Sequence, residues 1–331
     1  VGEELVEGNI AQFQFAARNR DDEAHELTFT VIGPDGEEIA APITETVPAS
    51  TDGVIHVLDW DSDGTAWLDA ARPGDAELVV EVRDETCTVV AAKTFHTLVV
   101  PRPVVTVHGM NSNAETWATY DDFLAEAHAG WRNFSIDTMD TSSFVPNTIA
   151  QNAALLDAYL EHVQRTTNAW QVDIVAHSMG GLISRYYIDR LMDDGASGIR
   201  QIRQLIMLGT PNQGSPCASL LPVPMTAELR PDVARAFNAT ITNRRGVLFS
   251  LAAGDPLPFT CQLLAPGDQV VPVDSALWTL EDTEAAFWNA FELRSLTSVT
   301  YPAGADRARI DVQLNGSETL TQGAPASTKP A

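Results

Sequence analysis

The sequence has little lysine, few cysteines and no long apolar run. Of its 331 residues only Lys93 and Lys329 are lysines, and 45 acidic residues against 20 basic ones give a formal net charge of −25. So acidic a chain repels phosphate backbones and anionic lipid headgroups, which excludes non-specific nucleic-acid binding. No segment approaches the roughly 20 apolar residues of a membrane-spanning helix, so we predict no transmembrane segment.

The cysteines show no metal-ligand spacing, and the acidic run at residues 59–64 lacks one ligand of a calcium loop. Cys87, Cys217 and Cys261 cannot all pair within one chain, and they lack metal-ligand spacing. The acidic run at residues 59–64 has the spacing of a calcium loop, but Ala70 stands where an EF-hand needs its glutamate. A solvated β-turn is therefore the default interpretation of this run, and calcium binding is left open.

A Pro-Arg-Pro segment at residues 101–103 separates two patterns of secondary structure. Before it, β-rich runs divided by turn clusters predict strands and no helix. These strands are expected at residues 11–17, 26–32, 54–58, 77–83, 88–92 and 94–100. Such a pattern is typical of a small, antiparallel, Ig-like β-sandwich, so we assign residues 1–101 to an accessory domain of that kind.

After this boundary, short apolar strands alternate with helices. Strands are predicted at 104–107, 133–136, 172–176, 204–208, 247–252 and 296–300, and helices at 115–127, 147–165, 181–192 and near 233–237. Uninterrupted apolar strands separated by helices indicate a parallel sheet covered on both faces. We therefore predict an α/β fold, a doubly wound and mostly parallel sheet, over residues 102–322, followed by a linker-like tail at 323–331.

One serine stands where the predicted strand 172–176 meets the next helix. Ser178 follows the strand almost directly, and Ala176 and Gly180 flank it with small side chains. This order predicts a nucleophile elbow, a strained turn that lifts a serine hydroxyl above the edge of the sheet. A capping serine in an ordinary strand-turn-helix is the alternative. The start of the helix would aim the N–H of Met179 at a developing oxyanion.

A second segment, His108-Gly109-Met110, ends the first strand of the α/β region. Gly109 allows the backbone to approach the serine closely, so that the N–H of Met110 would complete an oxyanion hole with that of Met179. We interpret His108 as a residue that supports this loop through hydrogen bonds, not as the catalytic base. His177 is expected to point away from the serine.

These segments resemble the α/β-hydrolase superfamily, and within it the bacterial lipase and esterase branch with an Ala-His-Ser-Met-Gly elbow. The resemblance covers about residues 103–290 and is carried by Val-His-Gly-Met at 107–110, Ala-His-Ser-Met-Gly-Gly at 176–181 and Leu-Gly-Thr-Pro-Asn-Gln-Gly-Ser at 208–215. It implies an α/β-hydrolase fold without a cofactor. It also implies hydrolysis of carboxylic esters, of the triacylglycerol lipase or carboxylesterase type, through an acyl-enzyme on Ser178.

The family implies the order Ser, Asp, His along the chain. A Gly-Asp-Gln-Val-Val segment is similar to its acid loop, so we expect Asp268 to orient a histidine, with Asp255 as the alternative acid. However, all seven histidines precede Ser178. Three explanations stay open. The chain is cut or altered relative to an active parent, or it is a hydrolase-fold binding protein without turnover, or His56 or His96 of the first domain reaches the site.

The resemblance also bears on location and substrate. Cys217 and Cys261 lie on the two loops that would flank the mouth of the site, so a disulfide between them would suit a secreted or extracytoplasmic bacterial protein. Residues 215–245 correspond to an insertion that is commonly a lid in lipases, with a packed loop that has no gating role as the alternative. The acidic surface favours a neutral lipid ester or droplet as substrate. Acyl transfer to another acceptor would use the same residues, and no partner of the first domain is predicted.

Overall fold

The computed structural model describes residues 4–19, 22–33, 36, 38, 42–49, 51–63, 77–96, 98–127, 131–193, 201–220, 223–255, 270–278, 309–314 and 318–320. The chain divides into two compact units. The first comprises Val1–Arg102 with the short segments Leu124–Arg132 and Asn168–Trp170. The second comprises Pro103–Phe123, Asn133–Thr167 and Gln171–Ala331. The two short segments, which the sequence pattern placed in the second domain, therefore belong to the first unit.

The first unit is built of β-strands. They are β1 (Glu4–Val6), β2 (Ile10–Asn19), β3 (His25–Ile32), β4 (Ile43–Val47), β5 (Thr51–Asp61), β6 (Glu77–Arg83), β7 (Val89–His96) and β8 (Leu98–Val100). β2 and β5 form one antiparallel sheet, and a second has the order β4-β3-β6-β7. β1 pairs with β8 in parallel.

Both antiparallel sheets contribute side chains to one hydrophobic core. Trp60 of β5 packs in the same cluster as Phe29 and Val31 of β3 and Val80 of β6, and all four are buried. A core shared between two sheets is the defining feature of a β-sandwich. The predicted all-β region before the α/β region is confirmed.

The acidic run, expected to be a solvated turn, begins inside β5, where Asp59, Trp60 and Asp61 are strand residues; of its described residues only Asp63 lies in a turn. The Ser62 hydroxyl is fully buried, donates to the carbonyl oxygen of Asn9 at 2.7 Å and accepts from the N–H of Gly8 at 3.0 Å. Arg102 Nη1 donates to Asp63 Oδ1 at 2.8 Å. Within the described part of the chain, no group of three His, Cys, Asp or Glu side chains is arranged to hold a metal ion.

The second unit contains a seven-stranded sheet. Its strands are β9 (Val104–Val107), β10 (Asn133–Ser135), β11 (Val172–His177), β12 (Ile202–Leu208), β13 (Leu248–Asp255), β14 (Arg309–Leu314) and β15 (Glu318–Leu320). The sheet order is β10-β9-β11-β12-β13-β14-β15. The first five strands in this order are parallel, and β14 and β15 are antiparallel. The predicted mostly parallel α/β sheet is confirmed, while the strand expected at 296–300 lies outside the described residues.

Helices connect these strands. A 3₁₀ turn (Ala114–Trp117) leads into α1 (Ala118–Ala127), and the other helices are α2 (Ile149–Thr167), α3 (Met179–Arg190), α4 (Pro216–Leu220), α5 (Pro231–Thr240) and α6 (Val273–Ala276). A second 3₁₀ segment, Pro224–Leu229, precedes α5. No helix among the described residues is long and apolar enough to cross a bilayer.

The direction of the crossovers reverses at β9. The chain runs from β9 outward to β10 and then returns across β9 to β11. Right-handed connections therefore place α1 on one face of the sheet and α2 and α3 on the other. Such a reversal opens a crevice beyond the carboxyl ends of the two strands beside it, where ligands bind in open α/β sheets. Here that crevice lies at the ends of β9 and β11.

Replacing Ser62 by alanine tests the hydrogen bonds of the first unit. The change leaves the N–H of Gly8 and the carbonyl of Asn9 without this partner, so we expect destabilisation of about 1–3 kcal/mol. Urea unfolding followed by tryptophan fluorescence measures the transition, with Ser142→Ala as a control because that residue is exposed. Equal transition midpoints for wild type and Ser62→Ala would contradict the assignment.

Candidate active site

Ser178 stands between β11 and α3 in a strained backbone conformation. Its φ is 52° and its ψ is −126°. A positive φ is unfavourable for a residue with a Cβ atom and persists only where the surrounding structure holds it. The N–H of Ser178 donates to the carbonyl of Leu208 at 2.9 Å, and its own carbonyl accepts from the N–H of Gly181 at 3.1 Å. The strain is therefore held by β12 on one side and by α3 on the other.

Small residues allow the chain to crowd around this serine. A Cβ atom on Gly109 would lie 2.7 Å from Cβ of Ser178, and one on Gly180 would lie 2.5 Å from the carbonyl oxygen of Val107. Ala176 is fully buried in β11, between β9 and β12. β9, β11 and α3 meet directly at Ser178, and Gly109 and Gly180 therefore have no room for a Cβ atom.

Two backbone N–H groups border the serine. Met179 is the first residue of the 12-residue helix α3, so its N–H has no acceptor within the helix and lies at the positive end of the helix dipole. Met110 follows Gly109, and its N–H donates none of the hydrogen bonds found among the described residues. The next residue, Asn111, has a φ of 52° and donates its N–H to the carbonyl of Thr141 at 2.9 Å. The loop that carries Met110 is thus anchored.

His108 lies in the interior and supports the same loop. It is 1% exposed, and its Nδ1 lies 3.1 Å from the carbonyl oxygen of Gly109 and 3.4 Å from Oγ1 of Thr141. Burial lowers the pKa of His108, and the contact with Gly109 opposes this shift only in part. The imidazole is therefore neutral at pH 7. His177, by contrast, is exposed.

The segment after the predicted acid is joined to the turn that follows β12. Asp268 itself lies outside the described residues, whereas residues 270–278 are described. Three hydrogen bonds join the two segments, from Ser215 Oγ to the carbonyl of Val270 (2.5 Å), from the N–H of Gln213 to Ser275 Oγ (3.0 Å) and from Asn212 Nδ2 to the carbonyl of Ala276 (3.1 Å). Because β12 neighbours β11, these bonds fix residues 270–278 at the end of the sheet that carries Ser178.

The remaining predicted residues are placed only in part. Asp255, the alternative acid, is the last residue of β13, and its side chain lies outside the described residues. Cys217 is disulfide-bonded, and Cys87 is free and exposed. Cys261 lies outside the described residues, so its pairing with Cys217 stays a prediction.

Sequence reasoning missed Arg185, the most elaborately bonded side chain near the site. It is 2% exposed on α3, and it donates from Nη1 to Asn212 Oδ1 and from Nη2 to Asn238 Oδ1, both at 2.9 Å. The guanidinium also lies over the rings of Phe237 (5.2 Å) and Trp278 (5.0 Å). Burial lowers the pKa of Arg185 to about 9, so it stays charged at pH 7. The one sequence signal was an arginine among the apolar positions of a buried helix.

The chain matches one family model and is similar to several solved structures. A family model described as "Domain of unknown function (DUF7379)" matches residues 82–225. The chain is similar to mature lipase BlEst2 of Bacillus licheniformis, with 22% identity over 45% of this chain and 63% of that chain (TM-score 0.37). Phospholipase PlaB from Legionella pneumophila matches with 15% identity over 67% and 51% of the two chains (TM-score 0.42).

A cutinase-like protein from Cryptococcus sp. matches with 14% identity over 35% of this chain and 57% of that chain (TM-score 0.29). The matched region thus spans between half and two thirds of the length of each of these three proteins. The structural neighbours include lipases, a phospholipase and esterases, all at low identity.

Substitution of Gly181 tests the crowding behind Ser178. A Cβ atom on Gly181 would lie 2.1 Å from Oγ1 and 2.7 Å from Cγ2 of Thr210. We expect Gly181→Ala to destabilise the protein by about 1–3 kcal/mol, and the added change Thr210→Ala to recover part of that loss because both atoms are removed. Gly180→Ala meets the backbone of Val107 instead, so Thr210→Ala should not rescue it. The unfolding temperatures of the single and double variants measure this difference. If Thr210→Ala restored the stability of both glycine variants equally, the contact between residue 181 and Thr210 would not explain the loss.

The buried His108 predicts a pH dependence of stability. Its pKa is lowered in the folded state, so the unfolded chain takes up the proton at higher pH, and stability falls as the pH drops below about 6.5. His108→Gln removes this titration and should flatten the curve. Urea unfolding of both proteins between about pH 5 and about pH 8 measures the difference. Parallel curves would show that another group is responsible.

Proposed function

We propose that this protein is a serine ester hydrolase whose nucleophile is Ser178. The observation that carries the proposal is the strained turn, a serine with a φ of 52° between a parallel strand and a helix. Strain of this kind clusters at functional sites, and a serine in a strained strand-to-helix turn is the arrangement of a nucleophile elbow. The turn also lies at the crevice where the crossover direction reverses. A capping serine would need none of this strain.

The proposed chemistry follows from the groups around the serine. Ser178 Oγ would attack the carbonyl carbon of an ester while a general base takes its proton, and the N–H groups of Met110 and Met179 would stabilise the oxyanion. The base then gives this proton to the departing alkoxide, which leaves as the alcohol, and water hydrolyses the acyl group on Ser178 to release the carboxylic acid. Asp268 is proposed to orient the base. The bonds that fix residues 270–276 to the turn after β12 support this placement.

None of the described histidines of the second unit is assigned as the general base. All seven histidines precede Ser178. Because His108 is buried and its Nδ1 contacts Gly109 and Thr141, we assign it to the support of the loop. Without a base, the oxyanion hole and substrate binding still retain part of the rate.

Apolar side chains favour a lipid acyl ester as substrate. Phe144 and Val145 follow β10 and are 82% and 70% exposed, and Leu220 after β12 and Val270 after β13 are exposed as well. These connections leave the carboxyl ends of parallel strands, which is the end of the sheet that carries the serine. Exposed apolar groups suit a neutral ester, whereas a net charge of −25 opposes an anionic surface. The disulfide at Cys217 favours an exported protein.

Hydrolysis of a series of chromogenic esters of increasing acyl length, by wild type and Ser178→Ala, tests the proposal. We expect turnover in the wild type and its loss by about 10³-fold or more in the variant, because the nucleophile is removed. Ser142→Ala is the matched control, since it removes an exposed hydroxyl in the connection after β10. A fluorophosphonate probe should label wild type and Ser142→Ala, but not Ser178→Ala.

Asp268→Asn and Asp255→Asn, measured in the same assay, distinguish the two candidate acids. The acid that orients the base should lower turnover, while the other substitution leaves it nearly unchanged. Turnover that does not depend on Ser178 would contradict the proposal. Its complete absence would favour the second hypothesis, a binding protein on a hydrolase scaffold.

A further inference from the structure

Arg185 connects four parts of the second unit. It lies on α3, seven residues after Ser178, which is about 10 Å along a helix. Its partners come from the turn after β12 (Asn212), from α5 (Phe237 and Asn238) and from the segment after the predicted acid (Trp278). One side chain thus holds three connections of the sheet to the helix that begins at the serine.

Arg185 is a buried cation, and burial of a charged group is unfavourable. Moving a guanidinium out of water is unfavourable, and replacing a buried ionic group by apolar side chains is often neutral or stabilising. Among the described residues Arg185 forms hydrogen bonds to two amide oxygens and no salt bridge to a carboxylate. Stability alone therefore does not explain an arginine here. Its planar guanidinium donates to two acceptors in fixed directions and lies over two rings. The single ammonium group of a lysine cannot make both sets of contacts.

Hydrogen bonds link Arg185, through Asn212, to Ala276 in the segment that follows the predicted acid. Asn212 accepts from Arg185 through Oδ1 and donates through Nδ2 to the carbonyl of Ala276 at 3.1 Å. Its backbone carbonyl accepts from Asn238 Nδ2 at 2.9 Å. Because Arg185 offers only donors, it fixes which way the Asn212 amide faces. The amide N–H then has to face Ala276.

We infer that Arg185 is a positioning residue that holds residues 270–278, the segment that follows the predicted acid, in register with α3, the helix that begins after Ser178. The inference rests on the proposed function, in which Ser178 attacks and Asp268 orients the base. Arg185 acts through Asn212 and Trp278 and touches no reacting atom. Its loss should therefore impair the chemical step more than substrate binding.

The first test compares Arg185→Met and Arg185→Lys with wild type on a soluble short-chain ester. We expect kcat to fall about 10- to 100-fold, as for a catalytic group displaced by about 1 Å, while KM changes by less than about twofold. Arg185→Lys should not restore the rate, because one ammonium group does not reach both amides. Arg165→Met is the control, since Arg165 is an exposed arginine on α2.

Asn212→Asp separates positioning from stability. The carboxylate still accepts from Arg185 but no longer donates to Ala276, so kcat should fall as in Arg185→Met while the unfolding temperature falls less. This variant also keeps the inference testable if Arg185→Met does not fold. A double variant should be no slower than the slower single one, because the two residues act as one unit.

Hydrogen exchange provides a readout that does not depend on turnover. Amides of residues 270–278 should exchange faster in Arg185→Met and in Asn212→Asp than in wild type, while those of β9 and β11 stay protected. Unchanged exchange in this segment, or a wild-type kcat in Arg185→Met, overturns the inference. If the wild type shows no Ser178-dependent turnover, the proposed function fails, and the exchange rates still decide whether Arg185 holds the segment.

Discussion

The architecture of the second unit depends on how closely the chain packs where β9 and β11 end. At that point two neighbouring parallel strands leave the sheet in different directions, and the backbone of one passes against the side chain of the other. Gly109 lies against Ser178, and Gly180 lies against the carbonyl of Val107. This close packing requires the unfavourable positive φ of Ser178. It is sustained because the hydrogen bond from Ser178 to Leu208 joins the turn to β12, so the strain is shared by three strands and a helix.

The interior behind this turn differs electrostatically from the surface. The chain carries a net charge of −25, but two of its arginines are 2% exposed and lie over aromatic rings. Arg185 faces Trp278 and Phe237, and Arg244 lies 4.5 Å from the centroid of Phe249. Planar cations stacked on rings give up less hydration than ammonium groups would.

Local features of the sequence were sufficient for most of the fold and for part of the candidate site. The apolar runs of β9 and β11 and the periodicity of α2 and α3 arise from residues close together in the chain, and so does the small-residue setting of Ser178. β1, β4, β14 and β15 were not predicted. β1 and β15 have only three residues each and carry no alternation, and α4 and α6 are too short to show a helical period. The role of Arg185 was beyond reach because its partners lie 27 and 53 positions away. Only the assembled sheet brings them together.

The division of the chain into units has a consequence for how the protein is made. The first unit includes residues 168–170, where Asn9 donates from Nδ2 to the carbonyl of Asn168 at 2.7 Å and accepts from the N–H of Trp170 at 2.8 Å. On a ribosome the sandwich strands emerge first, yet these two bonds form only after β9, β10 and α2 have followed them out. The first unit is therefore completed by a segment of the chain synthesised in the middle of the second. Folding of the two units is consequently interleaved in time, and no single cut in the chain separates one intact unit from the other.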